Sequence, residues 1–100
     1  MRQGTTPTHT FQLPFEVQNA DKLLITYAQR DEVVLQKTRE DCTVDGKTVK
    51  TSLTQEETFQ FDPKGAVQIQ LRILTEAGDA LVSDIMTVSV QRCLDGEVMR

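Results

Sequence analysis

The seven residues from Val67 to Ile73, VQIQLRI, constrain the fold more than any other stretch of this chain. Val67, Ile69, Leu71 and Ile73 share one parity, while Gln68, Gln70 and Arg72 share the other. Successive side chains of an extended backbone point to opposite faces, so this segment is a strand with one face in a core and the other toward water. TEAGDA follows as a turn, with Gly78 free to take a positive φ, and Ala80 to Val90 returns as the second arm of a hairpin. That arm changes parity, because Val82, Met86, Val88 and Val90 are even while Leu81 and Ile85 are odd. A β-bulge near Asp84 and Ile85 reconciles the two sets.

The earlier segments follow the same period. KLLITYAQ places Leu23, Ile25 and Tyr27 on one face, and EVVLQK returns after the polar pair Arg30-Asp31, a two-residue link suited to a tight turn. Asp45-Gly46 is the strongest short hairpin signal, with Val49, Thr51 and Leu53 on one parity beyond it. In LTQEETFQFD, Thr54 and Glu57 have capping-box spacing, which predicts a single helical turn between two sheets. Pro63 and Gly65 then close that segment ahead of the long strand.

At the N-terminus, Phe11, Leu13 and Phe15 alternate with Gln12 and Pro14. Pro14 lacks the N–H that a central strand needs, so this is an edge strand. The residues before it, RQGTTPT, offer nothing apolar to bury; the expectation is an arm, residues 1–8, that lies extended on the surface, floats free or reaches to a neighbouring subunit. At the other end, Leu94, Val98 and Met99 fall in a tail, residues 94–100, past the last strand, where apolar side chains await a cover. The candidate interface residues are therefore Arg2, Gln3, Thr5, Thr6, Pro7 and Thr8 of the arm, with Leu94, Val98 and Met99 of the tail.

Composition narrows the function classes. The 100 residues have room for one modest core, and an apolar share of 38% with 5% aromatic residues and no Trp fills it with Val, Ile and Leu. The net charge of -4, with Lys and Arg scattered among the acids, argues against a nucleic-acid partner. No apolar run approaches the roughly 20 residues of a membrane span, and the first residues lack a secretion signal, so no membrane insertion is expected. The expected product is made in a cytosol and kept there or released by lysis.

Catalytic and ligand-binding patterns are weak throughout. The acidic pairs Asp31-Glu32, Glu40-Asp41 and Glu56-Glu57 fall in turns beside Lys and Arg and read as solvated faces. His9, the single histidine, is expected on the exposed arm, with no G-x-S-x-G context around any serine, so nucleophilic catalysis is not expected and the chain reads as no enzyme. Asp41 with Asp45, or Asp62 with Asp79, could meet at one end of a sandwich, but no calcium-loop spacing supports a metal site. There is no Gly-rich phosphate loop, and no cofactor is expected. Cys42 and Cys93 match no zinc pattern; they read as reduced thiols, with a disulfide worth ~4 kcal/mol as the other possibility.

About seven strands, near 9–15, 22–29, 32–38, 42–44, 47–53, 66–75 and 80–91, with turns between them, predict an all-β, antiparallel immunoglobulin-like β-sandwich over residues 9–93. A small barrel is the structural alternative. The absence of Trp from the third strand, and of cysteines at the second and sixth, excludes an antibody-type domain.

The segments KLLITYAQRDEVVLQKT, LTQEETFQF and VQIQLRILTEAGDALVSDIMTVSV carry a resemblance over roughly residues 8–98. In their order and turns the chain resembles the small immunoglobulin-like proteins of phages and prophages of Gram-positive bacteria. It is also similar to the N-terminal immunoglobulin-like domain of phage baseplate upper proteins. The resemblance implies a virion structural protein of tail, baseplate or head, made in the bacterial host cytoplasm. Its implied partners are other virion subunits or further copies of itself, met through strand edges and loops. Because the sequence stops at Arg100, it is not expected to form the complete linker of a baseplate upper protein. The alternative function is a host-surface or carbohydrate recognition module working through sandwich loops; the single Tyr27, assigned to the core, and the lack of Trp leave no aromatic platform for it.

Overall fold

A computed structural model describes residues 1–100. Eight strands appear in chain order: β1 (Thr8–Gln12), β2 (Ala20–Gln29), β3 (Glu32–Thr38), β4 (Cys42–Asp45), β5 (Thr48–Ser52), β6 (Val67–Thr75), β7 (Ala80–Val82) and β8 (Met86–Val88). A short helix, α1 (Gln55–Phe59), joins β5 to β6. All strand pairings are antiparallel. The smaller sheet runs β1-β5-β4 and the larger β3-β2-β6-β7, with β8 also paired to β6. The chain is an antiparallel immunoglobulin-like β-sandwich. Its second strand lies in the larger sheet, between β3 and β6, so the strands divide three to five.

The core is the inner row of each sheet. Phe11 and Val49 come from the smaller sheet, and Ile25, Tyr27, Val67, Ile69, Leu71 and Ile73 from the larger, all buried. Gln68 and Arg72 face water, as the alternation in β6 requires. Gln70 is half-buried, because its amide donates to Ser83 O at 3.1 Å.

The eighth strand comes from the expected bulge. Arg72 pairs with Val82 and Ile69 with Met86, so Ser83, Asp84 and Ile85 stand opposite only Leu71 and Gln70. Ser83 bridges the gap: its N–H donates to Leu71 O at 2.8 Å, and its hydroxyl accepts the Leu71 N–H at 3.0 Å. Parity flips across the break. Leu81, Met86 and Val88 pack on the core, while Val82 and Ile85 remain exposed at 49% and 56%.

Local chemistry sets the turns. Arg30 and Asp31, the pair between β2 and β3, have φ of 52° and 65°, the left-handed backbone of a two-residue hairpin turn whose twist matches the strands. Gly46, between β4 and β5, takes φ 60° at no steric cost. The Thr54 hydroxyl accepts the Glu57 N–H at 3.1 Å, and a Glu57 carboxylate oxygen accepts the Thr54 N–H at 2.8 Å, completing the predicted capping box of α1. β1 ends at Gln12 rather than at residue 15, though Leu13 remains buried and its N–H donates to Lys47 O at 2.9 Å. Pro14, with no N–H to continue the ladder, follows directly, and β1 is an edge strand as its chemistry requires.

Candidate interaction surface

The N-terminal arm is fastened to its own chain. The Gln91 N–H donates to Met1 O at 2.8 Å and the Gln3 N–H to Gln91 O at 3.0 Å, a parallel bridge centred on Arg2 and Gln91. The Arg2 guanidinium donates to Arg92 O at 2.9 Å. The Gln3 amide spans two segments, donating to Phe61 O at 2.8 Å and accepting the Cys93 N–H at 3.3 Å. The fully buried Thr58 hydroxyl of α1 accepts the Gly4 N–H at 3.0 Å and faces Thr5 O at 3.1 Å. Gly4 has φ 78°, and a Cβ there would meet the Phe59 ring at 3.0 Å, so only glycine suits the position. Pro7 O accepts the Leu53 N–H at 3.0 Å, the Thr8 hydroxyl meets that of Ser52 at 2.8 Å, and Thr6 is exposed.

Of the arrangements expected for the arm, the structure shows it lying along the surface of its own chain. Its anchors are hydrogen bonds from the backbone, from the polar side chains of Arg2, Gln3 and Thr8, and to the buried Thr58 hydroxyl, which leave no trace in a pattern of apolar residues.

The tail is held differently. The Met99 N–H donates to Gln55 Oε1 at 2.9 Å, and Gln55 Nε2 donates back to Met99 O at 3.1 Å. Arg100 and Glu56 are 3.9 Å apart and exposed. Val98 is half-buried, but Leu94 and Met99 are 90% and 78% exposed. Arm and tail thus meet around α1, the arm on Thr58 and Phe59 and the tail on Gln55. Of the nine candidate interface residues, the structure gathers both groups at this one end of the sandwich.

Between the sheets lies a cluster of polar groups. His9 Nδ1 is 2.7 Å from the Tyr27 hydroxyl, and the Lys37 ammonium is 2.8 Å from both carboxylate oxygens of Glu57. Burial pushes the Tyr27 phenol far above its ordinary value and raises the Cys42 thiol, so neither supplies an anion at neutral pH. Burial, with a smaller part from the N-terminal ammonium, lowers the His9 imidazole. Cys42 donates to Thr38 O at 3.2 Å, and both cysteines are free thiols. No group of three or more His, Cys, Asp or Glu gathers as a metal site. Asp41 and Asp62 are occupied locally, Asp41 accepting the Thr38 N–H at 2.9 Å and Asp62 accepting the Lys64 N–H at 2.9 Å.

One surface escaped the sequence reading. An open groove of about 650 Å³ crosses the outer face of the larger sheet, at the end where β2 begins and β3 and β6 finish. Leu24 and Leu74 form its floor, and Lys22, Arg39 and Arg72 stand around it with Asp21 and Glu40. A signal was available in the sequence. Leu24 and Leu74 are apolar residues on the wrong parity of their strands, flanked by the cations Lys22 and Arg72.

Comparison with known proteins adds little to this picture. No family model and no curated protein matches the chain. Among solved structures it is similar to the V domain of amphioxus IgVJ-C2, at 14% identity and a TM-score of 0.37, over 90% of this chain and 96% of that one.

Proposed function

We propose that this chain is a non-catalytic structural module that works through protein–protein interfaces, and that its setting is a phage particle, in the tail, the baseplate or associated with the head. The phage setting comes from the resemblance of its strand and turn segments. The observation that carries the interface reading is the exposure of Leu94 and Met99, at 90% and 78%, on a tail whose backbone Gln55 holds in place. Large apolar side chains displayed on an anchored segment are suited to burial against another subunit. Carbohydrate recognition through an aromatic platform is disfavoured, because the single tyrosine, Tyr27, is 0% exposed and the chain has no Trp.

The test is the protein content of phage particles purified from the bacterium that carries the gene. The chain should band with the particles in fixed stoichiometry and be lost from them when residues 94–100 are deleted. A chain that stays in the soluble fraction, as a monomer giving a signal on a glycan array, would replace the structural reading with the recognition one.

A further inference from the structure

We infer that the groove on the larger sheet is the acceptor for the C-terminal segment of a second copy of this chain, so that copies join head to tail. The inference rests on the assembly reading above and supplies what that reading lacks, the partner surface.

The two surfaces are complementary in chemistry. The segment from Leu94 to Met99, LDGEVM, carries two large exposed apolar side chains, two carboxylates and no cation. The groove has an apolar floor in Leu24 and Leu74 and three cations against two carboxylates around it. Arg39 is fixed there, its guanidinium donating to Val17 O at 3.3 Å and Gln18 O at 2.8 Å. Lys22 and Arg72 are exposed and unpaired, since the ion pairs of the molecule are Arg30–Asp62, Lys37–Glu57 and Arg100–Glu56. Leu94 and Met99 entering over Leu24 and Leu74 would bring Asp95 and Glu97 to these two free cations.

Groove and tail share no residue, which determines the kind of assembly. Each copy offers one donor and one acceptor, so copies join as a ring, of which a pair exchanging tails about a two-fold axis is the smallest, or as an open chain. A volume of about 650 Å³ suits a few side chains, not a whole domain face. Each contact is accordingly weak, and repetition along a particle supplies the avidity.

Mixing two defective variants tests this directly. Variant one deletes residues 94–100 and keeps the groove; variant two carries Lys22→Glu and Arg72→Glu, both at exposed positions, and keeps the tail. Wild type should self-associate in sedimentation velocity as its concentration rises to about 1 mM, the weak end of specific binding. Association should weaken as salt rises. Each variant alone should associate at least about tenfold more weakly than wild type. Mixed one to one, they should form a heterodimer that grows no further, because the mixture holds a single intact donor and a single intact acceptor. Thermal unfolding of each variant checks that its domain is folded. Wild type that stays monomeric throughout, a groove variant that associates as well as wild type, or a mixture with no heterodimer would each overturn the inference. None of these would remove the chain from phage particles, so particle content separates a failure here from a failure of the assembly reading.

Discussion

Lys37 is the one lysine whose side chain turns into the sandwich, and its pairing makes that tolerable. Its ammonium lies 2.8 Å from both oxygens of Glu57, with side-chain exposures of 11% and 18%. Lys37→Ala leaves a carboxylate beside the core without its partner and should cost about 3 kcal/mol in urea unfolding at neutral pH. The double variant Lys37→Met, Glu57→Gln should recover most of that, because the cost of desolvating two charges disappears with them. Burial alone would raise the Glu57 carboxyl, but the Lys37 ammonium and the Thr54 N–H outweigh it and hold the group below 4.5. A carboxyl depressed in the folded state contributes stability that is complete above its unfolded value and is lost as pH falls through its folded one. The urea midpoint of the wild type should therefore decline as pH drops below about 4.5, and decline less in Glu57→Gln. Inside β6 the contrast is between neighbours. Leu71→Ala, at 0% exposure, should cost ~2 to 5 kcal/mol. Gln70→Ala should cost ~1 kcal/mol, for the loss of the bond to Ser83 O. Equal costs would mean that β6 is buried on both faces.

At the scale of elements, the hairpin between β2 and β3 stores strain that a substitution can release. Arg30 and Asp31 both hold left-handed backbone, which costs an ordinary residue roughly 1 to 2 kcal/mol and glycine almost nothing. Asp31→Gly should raise stability by about 1 kcal/mol in equilibrium unfolding, part of the gain being returned to the freer unfolded chain. No gain would show that Asp31 makes a compensating interaction in its turn. The strands themselves were legible because alternation encodes which face is buried: β3 matches its expected range, and the parity change from Leu81 to Met86 foretold the bulge. Which strand pairs with which was not legible, since an alternating pattern fits any neighbour. Nothing in KLLITYAQ marks β2 as central to the larger sheet rather than the smaller. The candidate site divides in the same way. Leu94 and Met99 were readable as apolar residues past the last strand. For the groove only the off-parity Leu24 and Leu74 were readable; its assembly was not, because Leu24, Arg39 and Arg72 lie far apart in sequence and are brought together only by the β3-β2-β6 order.

The whole molecule measures 47 × 29 × 17 Å, thin enough for two packed sheets, and each of its strand edges is blunted. β3 carries the inward Lys37 and an extra residue, Val34, opposite the Tyr27–Ala28 step. β4 has four residues, β1 leads into Pro14, and the edge formed by β7 and β8 is broken at its bulge. Inward charge, bulges, proline and short strands are the devices that discourage edge-to-edge pairing. Association through side chains displayed beyond the sheets fits this architecture better than strand addition, and it gives the two termini different work. The arm closes the domain, bonding by its backbone to Leu53, Gln91 and the buried Thr58, whereas the tail touches α1 through Gln55 and holds Leu94 and Met99 away from the core. Deleting residues 2–8 should therefore lower the Tm of the isolated domain by at least about 4 °C, the equivalent of ~1 kcal/mol for a domain of this size. Deleting residues 94–100 should leave Tm within about 2 °C of wild type while abolishing self-association. Differential scanning calorimetry on dilute samples, where copies are apart, measures both. An arm deletion without thermal effect would mean that its hydrogen bonds only balance the entropy of ordering it. A tail deletion that melts the domain would place residues 94–100 in the fold and take away the donor on which head-to-tail joining depends.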